Sequence, residues 1–567
     1  MEMKMNLNKN RTMKMKATLF SLCLAIGALA ITACSKEDNN DREEETTFQA
    51  VQFRMAEEGF GTETELTRAS SIPSAPALSE VGDCETETTL ESEPAEKPTA
   101  ATRGVTTPTH YTIRVYEGST LKGEMKGTFT ATGFTPDAGS PTQVMLARNH
   151  TYTFLCFNDQ VTPVGDKLEI ALANAATARI GRQQITLGTT DQAVNLSSKH
   201  VGVRVHTQLV AKKDIPTAVT ATLQSTSNNI PQRVSYDPIT GSYTSMNTGT
   251  MPATTNNSPA STEAKYVASY WGKNYAYTST ADYHYFLPTT DVTSLKLNIS
   301  GTTIFWNPIN GSINKLANNS HPFAANGTYR IKVKMKPAFT YLMSNGDVGT
   351  FKDTTFGGGG KTPIALIVPN QNMAIALKEI PAGIIWAVAK YQWTQTNTHK
   401  ATNGKKSVFE EATTGKEETW NPTYSTAIVT GNKAKGLNTD FPAFYAAAHY
   451  NPGVAYTGSP VLTWYLPSGG DLGTMIVHLG FGENHFVGST SYLYWYGHLV
   501  KEAFIQVGGT ILTEEPWGKR HWSSSIIGGG SIYIVLPAIG PEQVDFAVST
   551  GWLNSTDLCI RPFVSYQ

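Results

Sequence analysis

The stretch HTYTFLCFND, residues 150–159, puts Tyr152, Phe154 and Cys156 at every second position before an Asn-Asp turn signal. That period of two places the three side chains on one face of a strand and makes Cys156 a small core residue. The same texture extends outward. HYTIRVYEG turns Tyr111, Ile113 and Val115 inward, and KHVGVRVHTQLVAKK does so with Val201, Val203 and Val205. Gly, Pro, Asn and Asp break these runs at intervals of about ten residues, the rhythm of a β-sandwich. A first sandwich is expected over 104–213. A second is expected over 214–337, built on VTATLQS, DYHYFLPTT, SLKLNISGTTIFW and GTYRIKVKMK.

Beyond Pro337 the composition changes, for eight of the ten tryptophans lie there. Two stretches leave the strand pattern. LNTDFPAFYAAAHY carries Ala and aromatics at helical spacing, and LPSGGDLGTMIVHLG offers Ser468 as a cap with Asp471 three residues on. The expected fold class is therefore mainly β: two sandwiches followed by an α+β domain over 338–567.

Charged residues make up only 16 % of the chain, which suits an exported β protein rich in turns. The net charge of −1 hides an asymmetry: residues 35–103 hold 17 acidic and 6 basic side chains, and residues 104–567 hold 28 and 34. No concentrated basic stripe accompanies the surplus, so nucleic acid is not an expected partner. Three cysteines remain outside the N-terminal segment, Cys84, Cys156 and Cys559. Their odd number and wide spacing describe neither a disulfide framework nor a metal site.

Residues 1–33 combine Lys4, Lys9, Arg11, Lys14 and Lys16 with an apolar run to Ala33, the pattern of a secretory signal peptide. Cys34, directly after Thr32-Ala33 and before an abruptly polar tract, resembles the lipobox cysteine of bacterial lipoproteins. The resemblance implies acylation of Cys34 and attachment to the outer membrane; the other reading is an uncleaved anchor helix with an incidental cysteine. Residues 34–103 are expected to be a mostly disordered propeptide or linker, with CETETTLESEPAEKPTAAT as its extreme. One strand interrupts it at about 48–55. FQAVQFRM places Val51, Phe53 and Met55 on one face, with Gln52 and Arg54 opposite. Arg68 follows in a polar segment, and Arg103 immediately precedes the first firm strand.

In that order, Cys34, VQFRM with LTRAS, TYTFLCF, VRVHTQLVAK around His206 and Leu209, and GTYRIKVKMKP resemble the fimbrillin family, the type V pilins of Bacteroidales, over nearly the whole chain. The resemblance implies two transthyretin-like sandwich domains and a lipid-anchored precursor. It also implies cutting by an arginine-specific protease at Arg68 or Arg103, and a fimbrium assembled by strand exchange with other pilin subunits. The removable strand would carry Val51, Phe53 and Met55, which a partner's extended segment could replace.

The C-terminal blocks TYLMSNGDVGT, FPAFYAAAHY, TWYLPSGGDLG, HWSSS and CIRPFVSY resemble a C-type-lectin-like module of Bacteroidetes surface proteins. In that fold Trp464, Leu466, Trp522 and Ile560 would build the core. The loop GENHFVGSTSYLYWYGH offers His485, Trp495 and Tyr496 as an adhesive surface, with Trp517 nearby, for a glycan or a host surface protein. The motif EPW at 515–517 departs from the calcium-dependent sugar-binding pattern. No H-x-x-x-H, C-x-x-C, G-x-S-x-G or complete phosphate loop occurs, so neither an enzyme nor a cofactor or metal is expected. CIRPFVSYQ reads as a strand of the module itself rather than as a free donor. The expected function is a fimbrial tip or accessory pilin carrying an adhesin. The alternative is a surface lipoprotein that binds glycans or host proteins and never polymerises.

Overall fold

A computed structural model describes residues 48–61, 75–93, 108–131, 133–251, 254–262, 272–391, 394–400, 414–487, 490–512, 520–527, 531–537, 543–549 and 558–566. The described residues are mainly β.

The first sandwich is built on a seven-stranded sheet in the order Gln52–Glu57, Ala193–His200, Arg179–Thr186, Thr151–Asn158, Thr109–Glu117, Thr120–Thr130 and Gly133–Pro136. Its two faces serve two cores. Tyr111, Ile113, Val115, Tyr152, Phe154 and Cys156 fill one, as the alternation predicts. Leu155, Phe157 and Ile180 fill the other, against a four-stranded sheet of Thr162–Val164, Lys167–Ala171, Ile230–Tyr236 and Tyr243–Gly249.

That second sheet departs from a clean boundary at 213. After Val203–Ala211 and Val219–Ser225 have entered the second sandwich, the hairpin 230–249 returns to the first, where Val234 and Tyr236 are buried. Alternation tells which face of a strand is apolar but not which sheet it joins.

The second sandwich pairs a four-stranded sheet with a sheet ordered Tyr277–Thr280, Val203–Ala211, Thr328–Pro337, Cys84–Ser92 and Ala77–Val81. The last two strands correct the expectation of disorder around CETETTLES. Cys84, Thr86, Thr88 and Leu90 face inward, and Glu85, Glu87 and Glu91 meet a basic strand. Lys336 reaches Glu85 at 3.1 Å and Lys334 reaches Glu87 at 4.0 Å. Lys332 and Arg330 both reach Glu91, at 3.3 Å and, through Nε, at 3.0 Å. Thr is a good strand former, and a complementary neighbour satisfies the acidic face. Cys84 is a buried free thiol in this core.

The C-terminal module holds a six-stranded sheet, a five-stranded sheet and the helices Gly415–Trp420, Pro442–Ala448, Gly469–His478 and Gly497–Ile505. Two of these helices fall in the stretches read as helical. Ser468 caps the third as expected, with Asp471 completing the reciprocal pair of bonds. Trp464, Leu466, Trp522 and Ile560 are core residues. Phe563–Ser565 lies inside the six-stranded sheet, paired on one side with Met373–Ala376 and on the other with Thr463–Tyr465.

Candidate functional site

The strand Gln52–Glu57 occupies an outer edge of the seven-stranded sheet and runs parallel to Ala193–His200, with Phe53 opposite Val194 and Met55 opposite Leu196. Just before it, Phe48–Ala50 pairs instead with Met145–Ala147. Alternation decides the orientation of the side chains: Gln52 and Arg54 are exposed, while Val51, Phe53 and Met55 are buried. Phe53 meets Phe154 edge-on with centroids 6.0 Å apart, and Met55 Sδ lies 4.0 Å from Cys156 Sγ. Burial pushes the Cys156 thiol up to about 12, so it acts as packing and not as a nucleophile. The edge strand, with Val51 just before it, thus contributes three apolar side chains to a groove whose floor is TYTFLCF.

A polar latch closes the strand's C-terminal end. Tyr111 donates to Glu57 at 2.6 Å, Ser197 donates to Glu58, and Arg179 donates to the Glu58 carbonyl at 2.9 Å. Phe60 stacks on His200 at 3.7 Å, with the Arg204 guanidinium 5.4 Å from its ring, and Gly61 N–H donates to the Asn326 carbonyl at 2.8 Å. Burial, then the charges of Arg179 and Arg204, lower the His200 pKa to about 3 and keep the ring neutral. Of these latch residues the sequence marks only Tyr111, as an inward-facing strand position and not as a partner of Glu57.

Arg68 falls in the segment after this latch, outside the described residues, as do Cys34, Arg103 and Trp517. His485 lies in Glu483–Val487, an edge of the five-stranded sheet. Trp495 and Tyr496 are not on an exposed adhesive loop. Both are buried where the C-terminal module packs on the second sandwich, and Tyr496 donates to Asp214 at 3.1 Å. Their apolar faces complete a core, which is why loop composition alone misplaces them.

An open recess of about 430 Å³ in the C-terminal module is lined by Asn370, Gln371, Asn372, Lys416, Tyr465 and Asp471. It presents amide groups and an ammonium. Burial raises the Asp471 pKa to about 6 despite its hydrogen bonds from Ser468 and Gly415.

No protein-family model and no curated protein sequence matches the chain. Among solved structures, it is similar to a fimbrial protein from Bacteroides vulgatus at 12 % identity, covering 42 % of this chain and 92 % of that one, with a TM-score of 0.26. A fimbrial protein from Bacteroides ovatus aligns at 10 % identity over 91 % of this chain and 99 % of its own, with a TM-score of 0.20. The fimbrial anchor protein Mfa2 from Porphyromonas gingivalis aligns at 10 % identity over 45 % and 82 %, with a TM-score of 0.21.

Proposed function

We propose that this chain is a fimbrial tip or accessory subunit, exported as a lipoprotein on Cys34 and assembled when protease cleavage frees its edge strand for exchange with a neighbour's. The observation that carries the reading is the position of Gln52–Glu57: an outer strand, apolar inward, followed after a short segment by Arg68. Withdrawing it leaves unpaired backbone along Ala193–His200 and an apolar groove, which together fit an extended donor.

Arg68 is the better of the two sites. A cut there separates Gln52–Glu57 from the body and leaves the hairpin 77–92 in its sheet. A cut at Arg103 would also release the whole hairpin of Ala77–Val81 and Cys84–Ser92 from Thr328–Pro337, together with the core residues Val81, Cys84 and Leu90. Phe563–Ser565 is paired on both sides, which supports a subunit that accepts a strand without offering that one. The adhesive role belongs to the C-terminal module. Its amide-lined recess, rather than Trp495 and Tyr496, is the surface suited to a polar ligand such as a glycan.

The latch at Glu57, Glu58 and Phe60 favours a second reading, in which the strand stays in place and the protein is a non-polymerising surface lipoprotein. The purified precursor separates the two. Treatment with an arginine-specific protease should give a mature N-terminus at Ala69, and Arg68→Ala but not Arg103→Ala should block it. Adding a stalk pilin should then give a stable complex. Clean cleavage without a complex removes the polymerising reading.

A further inference from the structure

The C-terminal module encloses a polar cluster that neither the strand groove nor the recess uses. Lys435, Asn397 and Ser524 are fully buried, and Glu418 and Ser425 are 3 % and 5 % exposed. Lys435 Nζ donates to Ser425 Oγ at 3.1 Å and stands 5.5 and 5.6 Å from the ring centroids of Phe441 and Phe444.

Asn397 faces Ser425 across an antiparallel bridge. Thr398 N–H donates to Tyr424 at 2.9 Å and Thr426 N–H donates to Thr396 at 3.0 Å, one bond on either side of the pair. This is the narrow pairing, in which facing side chains leave the same face with Cβ atoms about 4.5–5.5 Å apart. The lysine amine therefore bonds the side chain of the residue that faces Asn397 across this pair. Asn397 Nδ2 donates to the Ser524 carbonyl at 2.9 Å, and the Ser524 hydroxyl donates to the Glu418 carboxylate.

We propose that Lys435 and Asn397 become joined by an intramolecular isopeptide bond, with Glu418 carrying the proton. The Lys435 Nζ lone pair attacks Asn397 Cγ, and the Glu418 carboxylate takes one proton from Nζ. As the Cγ–Nδ2 bond breaks, Glu418 returns that proton to the leaving nitrogen, ammonia departs and the carboxylate is restored. No oxidant, reductant or co-reactant is consumed. The chemistry needs an uncharged amine held against its target. Burial favours the uncharged form, lowering the Lys435 pKa to about 8 against the opposing charge of Glu418 and so raising the share of free amine. The inference does not depend on the fimbrial reading.

Peptide mapping by mass spectrometry of the purified full chain tests it. The expected result is one cross-linked species containing both Lys435 and Asn397, lighter by one ammonia than the two separate peptides. Asn397→Ala should abolish it, and Glu418→Gln should leave Lys435 and Asn397 intact but unlinked. Recovery of both residues in separate linear peptides from the unmutated protein, with Asn397 unchanged or only deamidated, overturns the proposal. The unmutated chain decides the matter even if a variant fails to fold.

Discussion

Phe53 shows what a single side chain on the edge strand contributes. It is buried against Phe154, so Phe53→Ala should leave a cavity and lower the stability of the first sandwich by about 3–4 kcal/mol, read as a shift in denaturation midpoint. His200 makes the same region sensitive to acid. Its pKa is about 3 when folded against an ordinary 6.5, so the unfolded chain binds the extra proton between those values. Stability is then full above pH 6.5 and falls as the pH drops toward 3. His200→Phe, which keeps a ring on Phe60, should flatten that slope in melting curves taken across the range. At the junction with the C-terminal module, Tyr496→Phe removes the bond to Asp214 and should cost about 1 kcal/mol.

The hairpin 77–92 depends on charge matched across a ladder. Replacing Glu91 with Lys sets it against Arg330 and Lys332 and should destabilise the second sandwich by about 1 kcal/mol. Arg330→Glu in the same chain should recover part of the loss, and a double-mutant cycle measured by urea denaturation checks both. This element also marks the boundary of what the sequence discloses. Val51, Phe53 and Met55, the inward faces of the later strands and the Ser468 cap were legible because each is written in a local period or spacing. Cys84–Ser92 has the same period, but its acidic composition concealed it, and Arg330 and Lys332, which pair with Glu91, lie 239 and 241 residues away. The latch on Glu58 was hidden likewise, with Ser197 139 residues on. The return of 230–249 to the first sandwich and the burial of Trp495 are decided by packing partners that no local pattern names.

At the scale of the molecule, the second sandwich and the C-terminal module share one hydrophobic core. Leu209, Val333 and Phe305 belong to it together with Met475, Phe481, Trp495 and Phe504. Trp306 stacks on Phe481 at 5.0 Å and Lys212 pairs with Glu502 across the junction. Core continuity of this kind predicts a single cooperative unfolding step for the two, with tryptophan fluorescence and far-ultraviolet dichroism giving coincident transitions in denaturant. Trp495→Ala should destabilise both together by about 3–5 kcal/mol. The same continuity has a mechanical meaning. Where modules are strung on a flexible linker, a pull on one is first spent straightening the tether. Here a tug on the C-terminal module would bear at once on the packed side chains of the sandwich beneath it, so any grip this module takes is transmitted without slack.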